Sequence, residues 1–415
     1  MTTFLKNYRN GLVSIIVFLY MSNIPGYLTM PGYKSYISFI PDNIFGKYIF
    51  ALVAVSIVFF LIVDSIRFVN SNLIFWCIWF LIITLTWHIF DSSDSEVFNQ
   101  RIVSLGYLLG FTLLIAGDTK SIYFARIAII LAMLLAAVNN VYDFLTPFYF
   151  VPAGDVFSNP GRSAGFYINA NRAGAALVVG MIFTATLIPL KYRVPYMLII
   201  FIGVLLTFSR MSILAWGIYA VIIAVQKNIN YRQLILSIAC LSVILIVLPR
   251  LISNVSFGED SRSNIENRLE WITNIGQRSD DESSSERKYL AARSFDMIIS
   301  SPIFGNGLGS TQSWSEVAST HNIYLSLMAD QGVIIGILII PLLILSIVKG
   351  AHGEARSLAI PFGLIIIFIG FFSHNVLDEY HYLIGFALMG AITAQSFQLF
   401  RQTPTENICN TPKFE

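Results

Sequence analysis

Ser283-Ser-Ser-Glu-Arg-Lys-Tyr-Leu-Ala-Ala-Arg-Ser-Phe-Asp-Met-Ile-Ile-Ser300 is polar, charged and spaced like a helix. It lies inside Leu251–Thr320, a Ser-rich and Arg-rich segment in a chain otherwise built of apolar runs joined by short loops. That contrast decides the fold class. The 415 residues are 56% hydrophobic and only 12% charged, with a mean hydropathy of +0.70. An ordinary soluble domain does not have this composition. A membrane protein with one large extramembrane loop usually carries its chemistry or its recognition there.

Outward from the loop, apolar runs of a length suited to cross the hydrocarbon core recur on both sides. They cover Gly11–Met30, Tyr48–Val63, Leu73–Phe90, Ile102–Gly117, Ile122–Val138, Ala173–Leu190, Tyr196–Phe208, Met211–Val225, Leu234–Leu248, Val333–Val348, Leu358–Phe372 and Leu383–Phe397. The prediction is an all-α integral membrane protein of about twelve transmembrane helices. Residues 1–250 form a bundle of about nine spans, 251–320 a large helical loop, 321–400 about three further spans, and 401–415 a tail.

An even count puts both termini on one side, and the positive-inside rule assigns that side to the cytoplasm. Lys6, Arg9, Arg67, Lys120, Lys191, Arg193, Lys227, Arg232, Lys349, Arg356, Arg401 and Lys413 then face inward. Asp42, Asp91, Asp94, Glu96, Asp143, Asp155, Asp378 and Glu379 face outward, together with the large loop. In a Gram-negative cell the outer side is the periplasm. The first run has no small-x-small cleavage pattern after it and is read as a retained span. Cys77, Cys240 and Cys409 are too scattered across spans and tail to form a disulfide framework. The net charge of +2 is spread over membrane flanks, with no nucleic-acid signature.

Within the loop, Ser283-x-x-Glu286 has the spacing of a capping box, and a helix is predicted over Ser284–Ser300, stopped by Pro302 and Gly305. A weaker helical pattern covers Ile265–Ile275. Gly305-x-Gly307-x-Gly309 follows no strand and opens no helix, so it reads as a tight loop and not as a dinucleotide site. A second long outer segment, Asn139–Asn171, is dense in Gly, Pro and Asn.

His321 stands where the loop meets the next apolar stretch. It reads either as a plain polar residue at a helix start or as a base. With Ser319-Thr320 as cap, His321 falls in the first helical turn, where the positive end of the dipole disfavours imidazolium. A neutral imidazole can take a proton from a hydroxyl. Arg210 lies in the hinge Thr207-Phe-Ser-Arg-Met-Ser212, where lipid snorkelling is the competing reading. Arg287 reads as a solvated ion pair or as an anion ligand. Arg162, Arg172 and Arg293 are weaker outer candidates. Converging guanidinium groups suit a diphosphate, which they bind bidentately. Asp378-Glu379, flanked by His374 and His381, reads as a solvated loop in preference to a metal site.

These motifs in order resemble the O-antigen ligase and polymerase family, polytopic bacterial inner-membrane glycosyltransferases of the GT-C type. The resemblance is carried by Gly165-Phe-Tyr-Ile-Asn-Ala-Asn-Arg-Ala-Gly174, Leu206-Thr-Phe-Ser-Arg210, Arg287, Ser301-Pro-Ile-Phe-Gly-Asn-Gly-Leu-Gly309, His321-Asn-Ile-Tyr-Leu325 and Gln331-Gly332. It covers roughly residues 160–350. Asn169-Ala170-Asn171 departs from the pattern of many members, which have Pro before the second Asn. The resemblance implies a glycan donor on undecaprenyl diphosphate and an acceptor that is a lipid A–core sugar in ligases or another lipid-linked glycan in polymerases. It implies that Arg210 and Arg287 contact the diphosphate, that His321 acts on the acceptor hydroxyl, with Asn322 beside it, and that neither metal nor nucleotide cofactor takes part. A protein oligosaccharyltransferase and a lipid-linked glycan transporter are lesser alternatives. The transporter fits less well, because most candidate charges lie at span ends and Asp330 is the main exception.

Overall fold

The computed structural model describes residues 2–28, 67–90, 95–152, 161–233, 235, 282–314 and 319–402. Among them the regular structure is helical throughout. In chain order the helices are α1 (Thr2–Met21), α2 (Ile24–Leu28), α3 (Ser71–Phe90), α4 (Ser95–Ile115), α5 (Thr119–Leu145), α6 (Ala170–Thr184), α7 (Leu190–Leu206) and α8 (Arg210–Val225). They continue as α9 (Glu282–Ser300), α10 (Ile323–Gln331), α11 (Val333–Val348), α12 (Glu354–Gly370) and α13 (Tyr380–Gln402).

Among the described residues five helices are long and apolar enough to cross a membrane: Ser71–Ile89, Glu96–Ile115, Thr119–Leu145, Ala170–Leu187 and Tyr380–Gln402. Tyr8–Met21, Arg210–Val225 and Val333–Val348 are shorter and apolar. The predicted runs Tyr48–Val63 and Leu234–Leu248, the helical pattern Ile265–Ile275 and the tail 403–415 lie outside the described residues. Large apolar side chains cover the outside of the bundle, among them Phe75, Ile78, Leu131, Val138, Val221, Ile337 and Leu364. Such an exterior needs lipid, not water, around it. The chain is a multi-pass membrane protein. Pro195, Pro341 and Pro361 sit inside helices, as spans packed against neighbours allow.

Helix α6 is the axis of the fold. Its Ala- and Gly-rich sequence, Ala170-Asn-Arg-Ala-Gly-Ala-Ala, lets other backbones come close, and α5, α7, α8, α12 and α13 pack around it. At the end of the bundle where α5 begins, Arg126 donates to Phe183 O at 2.8 Å and pairs with Glu354 at 3.1 Å, joining α5, α6 and α12. Arg193, Gln226, Gln395 and Gln398 add further ties at this end, to Ile188 O, Ser357 O, Thr119 and Arg67 O. Helix α9 packs on α10 at the opposite end.

Helix α9 spans Glu282–Ser300, two residues more than the sequence predicts. Ser283 and Glu286 are therefore both inside the helix, and their spacing is not a capping box. Leu290, Ser294 and Ile298 are buried on its inner face, with Ile298 packed on Leu325 and Ala329 of α10. Arg287 belongs to the same face by helical spacing and is half-buried.

Candidate active site

The site is assembled from the descending limb of the polar loop. Gly305, Gly307 and Gly309 all have positive φ, at 75°, 91° and 78°, and they wrap the C-terminus of α10. Asn306 N–H donates to Ala329 O at 2.7 Å and Gly307 N–H to Asp330 O at 3.2 Å. A Cβ on Gly305 would stand 2.4 Å from the Asp330 carbonyl, so no larger residue fits. Ser310 donates to Asp330 Oδ1 at 2.9 Å, and Arg101 of α4 closes on Oδ2 at 2.5 Å. The tight loop of the sequence reading is thus a clamp on a buried ion pair.

The N-terminus of α10 is held by Asn322, whose Oδ1 accepts from Tyr324 N–H at 2.9 Å and Leu325 N–H at 3.2 Å. This corrects the expected cap at Ser319-Thr320. Asn outcompetes them because its carbonyl oxygen reaches the second and third helical amides. His321 therefore stands just outside the helix, still at the positive end of its dipole, and the Asn322 carbonyl is occupied as a cap.

Ile323 N–H donates to Ser373 O at 3.1 Å, drawing the loop between α12 and α13 against the start of α10. This contact sets the His374 ring 5.7 Å from the His321 ring, tilted by 38°. Burial first, and then the Arg287 guanidinium, hold His321 below the usual histidine range, against the opposing pull of Glu286. His374 is pushed down to about 3 by burial, with His321 and Arg172 adding to it. Both rings are neutral at neutral pH.

Asp378 and Glu379 are not a solvated loop. Glu379 pairs with Arg172 at 2.8 Å and Asp378 accepts from Ser104 at 3.2 Å. Burial pushes both carboxyl groups up, opposed by Arg101 at Asp378 and by Arg172 at Glu379. Among the described residues no group of three or more His, Cys, Asp or Glu side chains could hold a metal ion.

On the α6 side, Arg162 Nε donates to Thr207 O at 3.0 Å and Nη2 to Asn171 Oδ1 at 2.7 Å. Ser163 N–H donates to Leu206 O at 3.0 Å. The Asp143 carboxylate receives the Ala164 and Gly165 amides at 2.8 and 3.1 Å, fixing this loop from α5. Arg210 opens α8 directly after its Ser209 cap. Ile168 and Phe208, at φ 66° and 47°, each precede a helix cap, Asn169 and Ser209. Such strained left-handed positions recur at functional sites. The N-termini of α6 and α8 meet because Gly174 lies against Ser212 and Thr207, where a Cβ would be 2.5 Å from Ser212 Oγ. Gly174→Val is expected to destabilise the protein by about 1–3 kcal/mol through overpacking, read as a fall in the detergent unfolding midpoint. An unchanged midpoint would contradict this packing.

Arg162, Arg172, His321 and Asn322 are thus linked around one end of the bundle, with Arg287 near enough to lower the His321 pKa. Arg293 is exposed, on another side of α9 from Arg287 by helical spacing. The sequence reading took His374 only as a flank of Asp378-Glu379, because nothing in Phe371-Phe-Ser-His-Asn375 points across the fold to His321. The helix N-termini and guanidinium groups suit an anionic group, and the neutral histidines suit a hydroxyl proton.

A search of curated proteins finds no match. Residues 195–340 match a family model described as O-antigen ligase, a stretch that includes the glycine clamp and all of α10. Arg210, Arg287 and His321 all lie in this matched stretch, which is similar to the O-antigen ligase family.

Proposed function

We propose that this chain is an O-antigen ligase of the bacterial inner membrane. It transfers a glycan from undecaprenyl diphosphate to a sugar hydroxyl of lipid A–core. Both termini are cytoplasmic and the active site faces the periplasm, where no nucleotide-sugar pool exists and an activated donor must arrive on lipid. The observation that carries the reading is a half-buried, neutral His321 beside Arg287, within the stretch that matches the family model.

The acceptor hydroxyl attacks the anomeric carbon and its proton passes to His321. The bond to the diphosphate breaks, and Arg210 and Arg287 stabilise the charge that leaves with it. Charge-assisted hydrogen bonds are worth about 1.5–3 kcal/mol each. One displacement inverts the anomeric centre. Arg162 and Arg172 tie the start of α6 to Thr207 and to Glu379.

The test is transfer in membranes carrying Arg210→Ala or Arg287→Ala. Each should lower the rate about 10²–10³-fold, as loss of a transition-state donor does elsewhere, with the membrane yield unchanged. Full activity in either would refute the diphosphate role. Deleting the gene should leave bare core with polymer stranded on its carrier. Core bearing a single repeat unit would instead assign the chain to the polymerases.

A further inference from the structure

His374 lies on the loop between α12 and α13, beyond the residues that match the family model. Its ring faces His321 at 5.7 Å between centroids, and its Nδ1 is buried with no hydrogen-bond partner among the described residues. A catalytic histidine is commonly oriented by a carboxylate, but the nearby acids are engaged elsewhere: Glu379 by Arg172 and Asp378 by Ser104. The charged groups around the pair are Arg287 and Glu286 of α9 on the His321 side and Arg172 of α6 on the His374 side.

We propose that His374 is a positioning residue for His321: its unpartnered Nδ1 receives the hydrogen bond of the His321 imidazolium, directly or through one water, once that ring has taken the acceptor proton. The inference rests on His321 being the base of the reaction proposed above. The O–H bond of the acceptor breaks and its proton moves to His321. The oxygen bonds the anomeric carbon, and the electron pair of the old carbon–oxygen bond leaves on the diphosphate. His374 keeps its own proton on Nε2 throughout. At a ring separation of 5.7 Å a bridging water can join the two rings, and a direct hydrogen bond needs a small approach of one ring to the other. Burial and Arg172 hold His374 neutral, which is the condition for Nδ1 to accept.

The test uses the full-length protein in detergent or membranes, a lipid-linked glycan donor and rough lipopolysaccharide as acceptor. His374→Phe keeps the volume and removes the acceptor nitrogen. It should lower kcat about 10–100-fold, comparable to loss of the outer partner of a metal-bound histidine, with KM for either substrate unchanged. Without the acceptor the His321 imidazolium is less stable, so the acid limb of kcat should move to lower pH. His374→Asn, whose Oδ1 stands near the position of Nδ1, should restore most of the rate and return the limb. A raised KM with unchanged kcat would overturn the proposal, as would an Asn variant no better than Phe or a limb that stays in place. The two readings fail separately. An active His321→Ala protein removes both, whereas an inactive one together with a fully active His374→Phe removes only this inference.

Discussion

His321→Ala should lower glycan transfer about 10²–10⁴-fold, the range that a positioned general base contributes, while leaving the protein in the membrane at wild-type yield. The fold has little reason to change. His321 stands outside α10, whose cap is Asn322, and the ring is only half-buried. What disappears is the neutral imidazole next to Arg287 and His374. The pH profile checks the same group independently. The His321 pKa is lowered, so the ring remains unprotonated below the ordinary value of about 6.5, and the acid limb of kcat should lie below that value. Arg287 contributes to the lowering, so its removal should move the limb of the residual activity upward. Steady-state transfer between pH 5 and 8 reads both effects. A His321→Ala protein with wild-type rate would rule out the base.

Asp330→Ala should be the most destabilising single change in the loop end of the bundle. Its carboxylate is fully buried and accepts from Arg101 and Ser310, with the glycine turn bonded to its backbone. Removing one partner strips the buried Arg101 of its ion pair and leaves only the Asp378 charge near it; the loss is about 3–5 kcal/mol where such pairs have been broken. Replacing both, Arg101→Leu with Asp330→Leu, removes the stranded charge and should recover much of the loss. The readout is the unfolding midpoint of the purified proteins in one detergent. A double variant as unstable as Asp330→Ala alone would mean that packing around α10, not the charge, is what Asp330 maintains. Because Asp330 lies at one end of α10 and His321 at the other, the single variant is also expected to lose transfer.

Much of the fold was legible from local pattern. Apolar runs such as Val333–Val348 and Met211–Val225 coincide with helices, because a span must satisfy every backbone group within itself and so declares itself over a continuous stretch. The loop helix α9 was legible for a different reason. Its apolar residues recur at helical spacing and Pro302 and Gly305 end it. Caps were less secure. Ser319-Thr320 and Asn322 are all competent by composition, and the choice fell to the residue whose carbonyl meets two amides.

The site divides along the same line. His321 and Arg210 each stand at a break between loop and helix, and Arg287 lies on a helix marked by its apolar spacing; both signals are visible in one dimension. Their companions are not. His374 is brought to His321 by a backbone hydrogen bond between Ile323 and Ser373. Asp378 and Glu379 look like a wet acidic loop until Ser104 and Arg172 are found against them. Arg101 meets Asp330 from more than two hundred residues away in the chain. By itself the sequence determined the membrane-spanning class, the helix of the polar loop and the residues at each break, because burial in lipid and helix periodicity act on neighbouring residues. Only the tertiary structure decided which charges are neutralised and which histidine stands behind the base, because those pairings depend on helices that pack side by side while lying far apart in the chain.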